Sequence, residues 1–269
     1  SPMTGRPLGG MKAGLALIAC VVPLVLGFLL PVLILAEMAL DAGDSQIGPR
    51  YLRLIWNSTA LAAITAFAAV ALALMLVYAH RLRPGMATLW ANRVAALGYA
   101  VPGTVIAVGV LIPFAWLDNA LDARLRDWFG VSTGLLLTGS IAGLIFAYLV
   151  RFLSIALQTA DAGLAKITPS MDDVARSLGT APAAILRRVH APLMKGSTMT
   201  AGLLVFVDVM KELPATLIMR PFNFDTLAVQ AYNLAKDERL GEASTAALTR
   251  KRYCDAASRW APAAVASAA

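Results

Sequence analysis

Five runs of apolar residues alternate with short polar segments along the chain, at roughly 12–38, 58–79, 94–117, 134–157 and 193–213. Each holds about 20 residues or more, enough to cross a hydrocarbon core near 30 Å thick as a helix. The pattern predicts an all-α integral membrane protein with about five spans. A polar leader, residues 1–11, precedes the first run, which opens at Lys12. Its core is longer than the roughly 7 to 15 residues of a signal peptide and no small-x-small cleavage site follows, so it reads as a span. Pro23 and Pro31 lie inside it, where neighbouring helices can re-satisfy the freed carbonyls. Pro102-Gly103 predicts a kink in the third span. Gly139 and Gly143 place a small-x-x-x-small packing motif in the fourth. Asn57-Ser58-Thr59 fits a glycosylation sequon and reads better as a cap for the second span.

The stretch Ser170 to Pro192, S-M-D-D-V-A-R-S-L-G-T-A-P-A-A-I-L-R-R-V-H-A-P, breaks the pattern. Ser170 and Asp173 form a capping-box pair, which predicts a helix starting at Met171. Met171, Val174, Ala175 and Leu178 fall at i, i+3, i+4 and i+7, on one apolar face. Gly179 supplies a left-handed stop. Thr180 then caps a second short helix, with Pro182 in its first turn. Pro182, Ile185, Leu186 and Val189 line its apolar face, and Pro192 ends or bends it. Such an amphipathic helix can lie on lipid, pack on its own protein or fill a groove on a partner. The pattern alone leaves all three open.

Composition narrows the class. The chain is 59% hydrophobic and 14% charged with mean hydropathy +0.70, against about 45–50% and 25% in soluble domains. A net charge of +7 comes without a basic stripe interleaved with aromatics, so nucleic acid is not a predicted partner. The charge lies in particular loops. Segment 80–93 has Arg81, Arg83 and Arg93 and no acid, and 151–195 has six bases against three acids. Segments 118–133 and 211–242 each carry one more acid than base. The positive-inside rule puts the N-terminus and the 151–195 loop in the cytoplasm. Cys20 and Cys254 give neither a disulfide framework nor metal spacing.

The spacing of the polar insert resembles the cytoplasmic signature of permease subunits of bacterial ABC importers: E-A-A, three residues, G, nine residues, I, one residue, L-P. Asp173-Val174-Ala175, Gly179, Val189 and Ala191-Pro192 occupy those places, with Asp for Glu, Val for the first Ala and Ala for Leu. The resemblance implies a type I importer transmembrane domain over 12–249, with a coupling loop at about 168–192. Met171, Asp173, Val174, Ala175, Leu178, Gly179, Val189 and Pro192 would form its ATPase-docking part. It further implies cytoplasmic ATPase subunits that hold ATP and magnesium, no cofactor or metal on this chain, and a second permease half or homodimer mate. A periplasmic substrate-binding protein and a place in the bacterial inner membrane, surrounded by lipid, complete the expectation. M-K-E-L-P with the segment after it, G-F-L-L-P at Gly27–Pro31, G-Y-A-V-P-G at Gly98–Gly103 and A-Y-L-V-R-F-L at Ala147–Leu153 resemble ferric-iron permeases, in particular a C-terminal half. Sulfate, thiamine and polyamine permeases share much of that architecture.

Asp208 lies in V-F-V-D-V-M-K-E-L-P, in the outer part of the fifth span. An acid at this depth costs about 2.5–3.5 kcal/mol unpaired, which leaves two readings. Lys211 neutralises it near the interface, or Asp208 and Glu212 face a translocation pathway together with Lys211 and Pro214. Residues 214–244 read as an outer loop with a re-entrant start and a short helix near 226–235. No phosphate loop, H-E-x-x-H or G-x-S-x-G occurs, and His80 and His190 read as isolated interfacial residues. The chain is expected to be a permease and not an enzyme. The rival reading is a self-sufficient secondary transporter in which Asp208 carries the coupling ion. Where the family has a sixth span, Arg250-Lys251-Arg252 opens a small-residue tail over 250–269, which a frameshift, a truncation or a genuine variant would each produce, the first two being the favoured readings.

Overall fold

The computed structural model describes residues 9–41 and 48–249, and no strand occurs among them. Among the described residues five helices are long and apolar enough to cross a membrane: α1 (Met11–Leu40), α2 (Pro49–Leu82), α4 (Gly103–Phe129), α5 (Ile141–Leu164) and α7, in which Pro182–Ile185 continues into Leu186–Met210. Shorter helices join them: α3 (Met86–Ala96), α6 (Pro169–Ser177), α8 (Pro214–Met219), α9 (Leu227–Lys236) and α10 over 240–249. The expected tail over 250–269 lies outside the described residues.

The core is the mutual packing of α2, α5 and α7. Ala62, Ala66, Ala69 and Ala73 form one buried stripe on α2, met by Ala147, Ala156 and Ala160 on α5 and by Ala201 and Val205 on α7. Small side chains let the backbones approach closely, which is the main source of attraction between helices in lipid. Gly163 of α5 shows how closely: a Cβ there would lie 2.6 Å from the Cβ of Ser197 on α7. Tyr148 and Phe152 fill the centre. By contrast, α1 has no buried residue in its membrane window.

Several boundaries depart from the sequence reading for local reasons. The third span starts at Gly103, because Pro102 is its N-terminal flanking residue. A proline disfavours helix in the residue before it, and Val101 is extended, at φ −89° and ψ 133°. Residues 94–96 therefore belong to the separate helix α3, and Pro102-Gly103 begins a helix where a kink was expected. The fourth span starts at Ile141, where the Ser140 side chain accepts from the Gly143 amide at 3.0 Å. Before it, the Leu137 and Thr138 amides donate to the buried Asp118 carboxylate of α4. Gly139 sits outside the helix at φ 71°, so Gly139 and Gly143 do not make a helix-packing motif. Asn57 and Ser58 lie two turns inside α2 and do not cap it. They hold the loop before α9, with Leu227 donating to Ser58 Oγ at 2.8 Å and Asn57 Nδ2 to the Asp225 carbonyl at 3.1 Å.

Pro192 does not end its helix. The turn Leu186–His190 widens to a π-helix just before it, which separates the proline ring from the carbonyl it would otherwise meet. The turn Val25–Leu29 does the same ahead of Pro31 in α1.

Candidate functional site

Helix α6 starts two residues earlier than expected. The Met171 amide donates to the Thr168 carbonyl, and Thr168 and Ser170 bond to each other through their hydroxyls at 2.9 Å. Asp172 stands in the first turn, where the helix dipole favours it. The stop falls at Gly179 as its residue type predicts: φ is 74° and the Thr180 amide reaches back to the Ala175 carbonyl at 3.1 Å. The next helix begins at Pro182, so Thr180 is not its flanking residue.

The apolar face of α6 does not pack on the protein's own core. Met171 is 46% exposed, Val174 60% and Leu178 78%. Ala175 is half-buried and Asp173 exposed; on α7, Val189 is half-buried and Pro192 exposed. Ile185 is buried and anchors the start of α7.

What anchors α6 is Asp172, which the sequence reading passed over in favour of Asp173. It is 7% exposed. Its Oδ2 accepts from Arg81 Nε at 3.1 Å and Nη2 at 3.0 Å, and its Oδ1 accepts from His190 Nε2 at 2.7 Å. Burial pushes the Asp172 carboxyl up, but the hydrogen bonds from His190 and Arg81 and the charge of Arg81 outweigh it and hold the group below the ordinary carboxylate value. His190 is 1% exposed and stands edge-on to Tyr78 of α2, ring centroids 5.5 Å apart. Neither histidine is isolated, since His80 Nδ1 bonds Thr88 Oγ1 of α3 at 2.9 Å. Beside this cluster an apolar cavity of about 670 Å³ opens between α2, α5 and α7, lined by Tyr78, Leu164, Leu186 and Met194 among others.

The other predicted residues gather at the opposite end of α7. Lys211 Nζ lies 2.5 Å from Asp208 Oδ1. Glu212 is buried, with Oε1 accepting from Arg151 Nη1 of α5 at 3.3 Å and from the Ala215 amide at 3.2 Å. Pro214 begins α8, whose Thr216 hydroxyl donates to the Glu212 carbonyl at 2.8 Å and meets the Tyr148 hydroxyl at 2.5 Å. Asp208 and Glu212 thus have separate partners. Among the described residues no group of three His, Cys, Asp or Glu side chains is placed to hold a metal ion.

No protein-family model matches the chain. It is 28% identical over 208 residues to the Fe(3+)-transport system permease protein FbpB 2 of Haemophilus influenzae, covering 77% of this chain and 37% of that one. A putative 2-aminoethylphosphonate transport system permease protein, PhnV of Salmonella typhimurium, is 29% identical over 160 residues, which is 60% of this chain and 54% of that protein. The chain thus spans about half the length, or less, of these relatives. Among solved structures, a bacterial alginate ABC transporter in complex with an alginate-bound periplasmic protein superposes with TM-score 0.72 at 15% identity, over 93% of this chain and 94% of that one. A second structure, of a bacterial ABC transporter that imports alginate, gives TM-score 0.71 at 13% identity. The chain is similar to permease proteins of bacterial transport systems, and its fold is the all-α membrane fold of bacterial ABC transporter permease chains.

Proposed function

We propose that the chain is a transmembrane subunit of an ATP-driven importer, and that α6 docks in a groove of a separate ATPase subunit. The observation that carries this reading is the exposed apolar face of Met171, Val174 and Leu178 on a helix held from behind by Asp172. An unpartnered apolar face on a fixed helix suits the groove-filling mode of recognition. Asp173 and Ala175 flank that face, Gly179 sets the turn after it, and Val189 and Pro192 continue it onto α7. ATP and magnesium would sit on the partner, with no cofactor or metal on this chain. The excess of bases in 151–195 supports a cytoplasmic α6 and N-terminus in a bacterial inner membrane. A second permease half or homodimer mate would complete the pathway, and a periplasmic binding protein would deliver substrate.

Ferric iron is the proposed cargo, on the strength of the similarity over 208 residues to a ferric-iron transport permease. The phosphonate relative carries the second reading, a small phosphonate. The ion pair of Asp208 with Lys211 weighs against a secondary transporter in which Asp208 would bind the coupling ion. The test is cysteine cross-linking from Ala175→Cys to the ATPase, with uptake of radiolabelled ferric iron and of 2-aminoethylphosphonate by the assembled complex. A folded complex that gives no cross-link overturns the docking assignment. ATP-dependent uptake of one substrate and not the other decides between the two cargoes.

A further inference from the structure

Three elements converge on one carboxylate. Asp172 belongs to α6, Arg81 to the last turn of α2, and His190 to the π-helical turn of α7. Among the described side chains of α6, that of Asp172 is the buried one. Its two oxygens are divided between the two spans, Oδ2 to Arg81 and Oδ1 to His190. The bonds from Arg81 are charge-assisted, the stronger kind. His190 is held in turn against Tyr78, one turn before Arg81 on α2, and its Nδ1 is buried with no hydrogen-bond partner. The ring therefore makes its hydrogen bond to Asp172 alone. Moving α6 away would leave Arg81 and a buried imidazole without partners, which is more costly than moving all three elements together.

The span that must follow is built to bend at this point. The turn Leu186–His190 is π-helical, a local widening that lowers the resistance of a helix to bending. Beyond it α7 packs on α2 and α5.

We infer that Asp172 is the positioning residue that joins α6 rigidly to α2 and α7, so that a force on the exposed face of α6 moves the ends of both spans together. The inference rests on the docking reading for where the force comes from, but the junction itself is a property of this chain. Asp172 acts through Arg81 and His190.

The test uses the full chain in lipid nanodiscs, alone and assembled with its ATPase, with Cys20 and Cys254 replaced by serine. Spin labels go on Ser177→Cys at the end of α6, off its apolar face, and Leu82→Cys at the end of α2, both exposed. In the parent the label distance is expected to be narrowly distributed and the same with and without trapped ATP. In Asp172→Ala it broadens, and with ATPase bound it changes on trapping ATP. In the same complex ATP hydrolysis continues while substrate moved per ATP falls by about tenfold or more, within the usual range of coupling between sites. Asp172→Glu restores part of both readouts. If Asp172→Ala does not assemble, Arg81→Gln removes the bonds to α2 while leaving that from His190, and the same label distance then reads the loss of the α2 side of the junction. An unchanged narrow distance with parental transport per ATP overturns the inference. A parent chain that recruits no ATPase overturns the docking reading instead, and the distance distribution in the permease alone then decides whether Asp172 fixes α6.

Discussion

Arg151 in the middle of α5 and Glu212 just past the end of α7 meet at 3.3 Å inside the bundle, with side-chain exposures of 20% and 6%. A buried pair of this kind adds little net stability while intact, but removing one partner strands the other charge. Glu212→Gln is therefore expected to destabilise the protein by about 3–5 kcal/mol. The double replacement Arg151→Met with Glu212→Leu should recover most of that loss. Denaturant unfolding in detergent micelles checks both. A single variant as stable as the parent, with the loss confined to the double variant, would show that Glu212 acts through the Ala215 amide, which the Gln carbonyl still satisfies, and not through Arg151.

Gly103 makes room for that pair. A Cβ at this position would overlap Arg151 Nη1 and lie 2.5 Å from Glu212 Oε1. Gly103→Ala must push the pair apart, at about 1–3 kcal/mol for an overpacked site. At Gly109, further along the same helix, an added Cβ would meet nothing within 4 Å. Gly109→Ala should then be neutral or stabilising by about 0.5–1 kcal/mol. The contrast between two identical substitutions in one helix, read by thermal unfolding, isolates the contact from helix propensity.

These sites also show what the sequence could and could not reveal. Helix α6 and its stop at Gly179 were legible because the information is local: an apolar period and a residue that tolerates positive φ. The five spans were legible from hydropathy, yet two began too early, since an apolar window does not register that Pro102 and Ser140 start helices. The break before Pro102 and the Ser140 cap were the signals to use. Asp172 was missed because its partners stand 91 and 18 residues away in the chain, whereas its neighbour Asp173 matches a known spacing. Arg151 and Glu212, 61 residues apart, were equally invisible as a pair, although a lone arginine within an apolar run already calls for a partner.

The Asp172 junction should weaken in acid, and the direction of the shift gives the sign. The folded-state carboxyl titrates below the ordinary value of 3.8. Its contribution is thus complete above that value and is lost as pH falls through the lower folded-state value. Hydrogen exchange of the α6 amides in the parent and in Asp172→Asn should differ by a constant factor from neutral pH down to about pH 5, as expected for a carboxylate ionised in both states. The two should converge below pH 3.8. A difference that already shrinks between about pH 7 and pH 5 would place the titrating group elsewhere in the cluster.

The exposed face of α6 yields the sharpest separation between folding and assembly. Val174 is 60% exposed, so Val174→Asp removes no internal contact of consequence and should change stability by no more than about 0.5 kcal/mol. Burying a valine side chain in a partner's groove contributes about 1.5–3 kcal/mol, and forcing a carboxylate into that groove reverses the contribution. Affinity for the ATPase should therefore fall by at least about tenfold to a hundredfold, measured by titration with the purified ATPase subunit. Leu178→Asp at the same face should behave alike, whereas Asp161→Asn, exposed on the last turns of α5, should leave binding unchanged. Loss of binding without loss of stability, confined to the two α6 variants, is the outcome that docking through this face requires; equal affinity across all three would mean the ATPase meets the chain elsewhere.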